Sequence, residues 1–330
     1  MRRWGLVALA LVGAALGGCA GGDDASRVDG PPTSGSSEHA GEGRAGASPS
    51  ALPAPRPYRP RAEEGYSNGK RLAAMVAQRA TTYSRGSTPR SVAERIGPSA
   101  LGVQALTTAI EPAVDPELQA SGTVVYPQLS GVTPTSLGAM VAVRQTLAGA
   151  DGERRSVTRV LDIRLSRSGG PWSLDQIGGV GGSPPAQEAP RSPVAEGVLD
   201  NPRITLTDSA RWDIQRGDVD DGLLQALSNA AEEYRLGVGV LKSGHPVNVW
   251  ATSTPSAHSA GAAADIYAVD GRPVIAQTQE GSAAFGLASG LVAGGATQVG
   301  SPWVLGAGGS QSFTDEVHQD HIHLQQTASG

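Results

Sequence analysis

The 330-residue chain carries 26 Lys and Arg against 31 Asp and Glu, a formal net charge of -5 that leaves no basic footprint for nucleic acid. Its 45 Gly, 23 Pro and 4% aromatic content allow two domains of ordinary size but require part of the chain to stay outside any packed core. The single cysteine, Cys19, excludes an intramolecular disulfide and a thiolate-rich zinc cage, so a metal centre has to draw on imidazole and carboxylate donors.

Met1, Arg2 and Arg3 form a charged start, and Trp4 to Leu16 an apolar run, the pattern of an export signal. The run is too short to favour a permanent transmembrane helix. It ends in Leu16-Gly17-Gly18-Cys19, which resembles the lipobox of bacterial lipoproteins. The resemblance implies a signal peptide over residues 1–18, a lipid on the Cys19 sulfur and an extracytoplasmic protein anchored to the cell membrane. The alternative is an ordinary signal peptide with a chance cysteine. Residues 19–62 are rich in Gly, Ala, Ser and Pro and predict a disordered tether, stiffer near Pro53, Pro55 and Pro57.

Order is predicted from about Asn68. Leu72, Met75, Val76, Ala80 and Tyr83 recur at helical spacing, and Thr88-Pro89 reads as the cap and first position of a second helix ending at Gly97. The period then changes to two: Val141 and Val143, then Val157, Leu161, Ile163 and Leu165, with Asp151-Gly152 as the turn between them. Ser168-Gly169-Gly170 turns the chain again before a strand around Trp172, Leu174 and Ile177. Helices followed by an antiparallel meander predict a small α+β accessory domain over residues 63–178. The pattern resembles the cystatin-like and nuclear-transport-factor-like folds and contains no catalytic constellation, so a spacer or binding module is its expected role. Residues 179–201, with Gly179, Gly181, Gly182 and Pro184-Pro185, read as a linker.

The last domain is predicted over residues 202–330. Asp218 or Asp220 can cap a helix carrying Leu223, Leu224, Leu227, Ala231 and Tyr234, and a buried strand at Leu236, Val238 and Val240 delivers Ser243-Gly244-His245-Pro246. Ser282 to Ala293 reads as a packing helix. Five of the six histidines lie in this region: His245, His258, His318, His321 and His323. Gly261 to Tyr267 reads as a turn entering a strand, with Ala263, Asp265 and Tyr267 on one face and Ala264 and Ile266 on the other. His321 and His323 share a face if their segment is extended, directing Ile322 and Leu324 into the core. A tetrahedral site open for catalysis needs three protein ligands and one water, and His258, Asp265 and one histidine of that pair can supply them. His245 and His318 read as rim residues, and Trp250 and Trp303 as core.

Ser256-x-His258-x-x-Gly261-x-Ala263-x-Asp265 followed by Asp320-His321-Ile322-His323 resembles the zinc D-Ala-D-Ala carboxypeptidases, D,D-dipeptidases and endolysin-type peptidases, which share a fold with Hedgehog signalling domains. The likeness spans roughly residues 217–325. It implies an α+β Hedgehog/D,D-peptidase-like zinc domain following the smaller cystatin-like one. It also implies Zn2+ held by His258, Asp265 and His323, with Asp320 as the carboxylate that activates water and His321 as a neighbour that stabilises the transition state. For an exported, membrane-tethered protein the implied partners are peptidoglycan stem or cross-link peptides. Where that family carries an arginine for the substrate carboxylate, this chain has His245-Pro246, a departure that makes an endopeptidase, or a metal-binding wall scaffold without turnover, the readings to weigh against a carboxypeptidase.

Overall fold

The computed structural model describes residues 52–306 and 309–327, and its architecture is α+β. The expected signal peptide, the lipidation site Cys19 and the tether up to residue 51 lie outside the described residues. The end of the predicted tether does not run free. Leu52 is buried, Pro53 O accepts from Ser121 Oγ at 2.9 Å, and Tyr58 Oη donates to Glu64 at 2.6 Å. Two large side chains give this stretch something to bury, which composition alone conceals.

The first half of the described chain builds helices α1 (Ser67–Ala80), α2 (Pro89–Ile96) and α3 (Gly102–Ile110) and strands β1 (Gln119–Val132), β2 (Ser136–Ala148), β3 (Arg154–Ser166) and β4 (Ser173–Gly179). The strands form an antiparallel meander in the order β1-β2-β3-β4. Helix α2 starts on a reciprocal cap between Thr88 and Ser91 with Pro89 in its first turn. Helix α1 presents Ala73, Ala74, Val76, Ala77 and Ala80 to the sheet, while Met75, expected inside, is 38% exposed. The alanine face lets the helix axis lie close to the sheet, where the longer side chains would hold it off. Strand β1, not expected from the sequence, is an edge strand, which tolerates the missing N–H of Pro127.

The second half contains α4 (Pro193–Asp200), β5 (Ile204–Leu206), α5 (Asp208–Gln215), α6 (Asp221–Glu233), β6 (Leu236–Val240), β7 (Ala263–Val269), β8 (Arg272–Pro273), α7 (Ala283–Ala293), β9 (Gln298–Gly300), β10 (Ser312–Phe313) and β11 (Ile322–Gln325). The sheet order is β10-β9-β11-β7-β6-β5, with β8 paired to β7. Helix α4, capped by Ser192, falls inside the stretch predicted as linker, and its Ala195 and Val198 pack into the second core. Asp220 caps α6. Leu223, Leu227, Val238, Ile266, Leu287, Ile322 and Leu324 fill that core from helices and sheet together. Among the described residues no helix is long and apolar enough to cross a membrane.

The two sheets meet directly. Met140, Ala142 and Val160 pack on Val240, and the Tyr126 and Tyr267 rings stack at 6.0 Å. Trp250 lies on a platform of two glycines: a Cβ on Gly131 would sit 1.9 Å from its Cγ, and one on Gly138 2.5 Å from its ring. Asp208 and Ser209, opening α5, accept from Thr158 N and Val160 N where β3 extends beyond β4.

Candidate metal centre

Strand β7 delivers Asp265, the turn before it delivers His258, and β11 delivers His323 opposite Asp265 in the antiparallel register. Gly261 makes the turn possible: at φ 72° it closes the His258 loop, and a Cβ there would lie 2.0 Å from Asp218 O. In β7, Ala264 and Ile266 enter the second core and Asp265 faces away from it. Ile322 and Leu324 of β11 do likewise, so His323 faces the same side as Asp265.

Three donor atoms converge as a result. His258 Nε2 lies 3.2 Å from Asp265 Oδ1 and 3.2 Å from His323 Nδ1, and His323 Nδ1 lies 3.0 Å from Asp265 Oδ1. His258 Nδ1 donates to Leu241 O at 2.6 Å, so that in the neutral ring it is Nε2 that carries the lone pair. Asp265 Oδ1 is an acceptor, and His323 Nδ1 brings at most one proton. With His258 neutral, such a triangle cannot satisfy itself by hydrogen bonding, whereas a cation satisfies all three vertices. A tetrahedral ion with metal–nitrogen bonds of about 2.0–2.1 Å separates its donors by about 3.3 Å and the centres of two bound imidazoles by roughly 5 Å. The His258 and His323 rings are 5.0 Å apart and tilted by 60°.

His245 shares the neighbourhood. With His258 and Asp265 it forms a group whose donor atoms all lie within 4.8 Å of one another and which can hold a metal ion. Its ring stacks on His258 at 4.0 Å and 15°, and its Nδ1 donates to Pro246 O. Parallel rings that close do not point their nitrogens at one tetrahedral centre. The His323 triangle is the tighter set, and His245 stands above it.

No protein-family model, curated protein or solved structure matches this chain.

The electrostatics favour ligation. Burial pushes His323 down to about 4 and His245 down to about 3, so both imidazoles are neutral near pH 7. Burial works against ionising Asp265, but the neighbouring His258 and His321 rings, with hydrogen bonds from His258 and His323, hold its carboxyl well below the usual carboxylate range. His321 Nε2 lies 3.7 Å from Asp265 Oδ1, and its Nδ1 donates to Asp320 Oδ1 at 2.7 Å. Burial opposes a proton on His321, but Asp265 and Asp320 together raise it above the ordinary imidazole range. Asp320, just before the start of β11, has both oxygens engaged: Oδ1 by His321, and Oδ2 by Lys70 Nζ at 2.6 Å and Leu129 N at 3.1 Å. It therefore meets the centre through His321 instead of facing the metal position itself, as the family resemblance implies.

A cleft of about 360 Å³ opens beside these groups, its walls drawn from both sheets: Leu129 to Val132 of β1 on one side, and Trp250, Phe313 and His318 among the others. His318 is held by Asp315 and lies edge-on to Phe313 at the rim. Trp250, expected in a core, is a cleft wall on the seam between the sheets.

Three participants were not expected from the sequence. Gln128 Nε2 donates to Asp265 Oδ2 at 2.7 Å, Lys70 binds Asp320 and Glu64, and Leu129 supplies a backbone N–H. For Lys70 a signal exists: it sits on the same helical face as Ala73, Ala74 and Ala77, an anomalous charge in an apolar stripe. For Gln128 there is none.

Proposed function

We propose that this protein is a zinc-dependent amide hydrolase of the cell envelope, tethered through lipidated Cys19 and acting on peptidoglycan stem or cross-link peptides. The observation that carries this reading is the triangle of His258, Asp265 and His323 beside a cleft, with the His321 imidazole at its edge. Two imidazoles and one carboxylate, without sulfur, suit a catalytic zinc site that leaves one position for water. The finer fold readings belong with it: a Hedgehog/D,D-peptidase-like second sheet, joined to a cystatin-like layer in which α1 packs across a meander. The substrate class rests on the motif resemblance and the export signal.

When bound, zinc would polarise the scissile carbonyl and lower the pKa of a coordinated water. The side chains do the rest. Asp320, fixed by Lys70 and Leu129 N–H, holds Nδ1–H of His321, so Nε2 faces the centre as proton acceptor. With a divalent cation held by His258, Asp265 and His323, the Asp265 carboxylate beside His321 would be offset, which would favour a neutral imidazole at His321. His321 would then take the proton of the attacking water and return it to the leaving amine. The described residues lining the cleft include no Lys or Arg, which favours a bond inside a peptide over one next to a free carboxylate.

A second reading, a metal-binding wall scaffold without turnover, draws support from the saturation of Asp320. Metal analysis of the purified protein followed by muropeptide digestion, with His321→Ala and Asp320→Ala as controls, separates the two. One equivalent of zinc and cleavage lost in His321→Ala is the expected result. Zinc without cleavage selects the scaffold, and absence of zinc overturns both.

A further inference from the structure

The first sheet contributes a side chain to the metal centre. We propose that Gln128 is a positioning residue that holds Asp265 in a one-oxygen mode, so that Oδ1 alone faces His258 and His323. This rests on the metal-centre reading above.

Gln128 is 3% exposed, on the edge strand β1, 137 residues away in sequence from Asp265. Its surroundings are apolar and aromatic: Tyr126, Met140, Ala142, Val160, Val240 and Tyr267 enclose the same small space. An amide in such a place costs free energy unless it is hydrogen-bonded, and a methionine of similar length would pack there without that cost. The bond it makes is short, 2.7 Å, and it goes to the Asp265 oxygen that the histidines do not contact. With Oδ2 tied to Gln128, the carboxylate cannot rotate to offer both oxygens to the centre. The next residue repeats the device, Leu129 N–H fixing Asp320 as Gln128 fixes Asp265. Two consecutive positions of one strand thus hold the two carboxylates on either side of His321, and the first sheet becomes part of the centre instead of a spacer beside it.

The test measures zinc affinity of the full-length protein by competition with a chromogenic chelator, together with the visible spectrum of the Co2+-loaded form. Gln128→Met keeps the volume and removes the donor; Gln128→Leu removes the donor with a shorter apolar side chain. Gln145, a buried glutamine bonded to Ala113 O away from the centre, gives the control Gln145→Met. Loss of a partner that orients a ligand weakens metal binding by about 10- to 100-fold, so both Gln128 variants should bind zinc that much more weakly and shift the Co2+ bands, while folded Gln145→Met does neither. If Gln128→Met does not fold, Gln128→Leu decides. Zinc affinity within about 3-fold of wild type, with unchanged Co2+ bands, overturns the assignment of Gln128 and leaves the metal centre standing; a wild-type protein that binds no zinc overturns the metal centre and this assignment with it.

Discussion

Lys70 Nζ lies 2.6 Å from Asp320 Oδ2 across 250 residues of sequence, and neither side chain is more than 2% exposed. Glu64 completes the cluster at 2.8 Å on the same ammonium. A charge taken out of water this far is tolerable only while its partners stay, so Lys70→Met strands two carboxylates. The expected loss is about 3–5 kcal/mol, read by denaturant unfolding. Adding Asp320→Leu to Lys70→Met should recover part of that loss, because the stranded charge goes with it.

The same pair sets a pH window. Burial opposes ionising Asp320, but Lys70 and His321 hold its pKa below the ordinary carboxylate value; its contribution is complete above the unfolded pKa near ~3.9 and is lost as pH falls through the folded one. Burial lowers Lys70, but Asp320 and Glu64 outweigh it and raise it; that contribution is complete below the unfolded pKa near ~10.4 and is lost as pH rises through the folded one. Unfolding free energy followed against pH should therefore fall at both ends, and the double variant should show a shallower alkaline decline, the remainder coming from Tyr58 and Tyr126, whose hydroxyls burial keeps protonated in the fold.

Metal retention should divide the histidines. With rings 5.0 Å apart at 60°, His258 and His323 fit one tetrahedral ion, whereas His245 is stacked parallel on His258. His323→Ala and His258→Ala should abolish stoichiometric zinc by elemental analysis, and His245→Ala should keep it.

Acid should release the metal and weaken the apo fold together. Unfolded, His323 takes a proton near pH ~6.5, but burial in the fold delays this until about 4, so the unfolded state gains protons first as pH drops. Zinc uptake should decline as pH falls towards about 4, where His323 takes a proton even in the fold. A midpoint above neutrality would contradict the buried, neutral His323.

The glycine platform under Trp250 gives a test of the cleft wall. Gly131→Ala would place a Cβ 1.9 Å from Trp250 Cγ, so the indole has to move. The expected cost is about 1–3 kcal/mol with a shift in tryptophan emission, and the cost should shrink in the background of Trp250→Ala.

Local pattern by itself determined a good deal. Thr88-Pro89 to Gly97 marked α2, Asp151-Gly152 marked the β2–β3 turn, and Ser282 marked the start of α7, because caps and turns are decided by a few neighbouring residues. Period two also placed His323 and Asp265 on the faces turned away from Ile322, Leu324, Ala264 and Ile266. Strand β1 was illegible for the opposite reason. Tyr126, Pro127, Gln128 and Leu129 are all buried, since the strand packs against its own helices on one face and the second sheet on the other, and no alternation survives. The sequence thus determined the donor residues and their local faces, which depend on short-range geometry. Only the tertiary structure decided that Gln128, Leu129 and Lys70 reach those donors, because the register between two sheets is set by packing across more than a hundred residues of chain and leaves no trace in any local window.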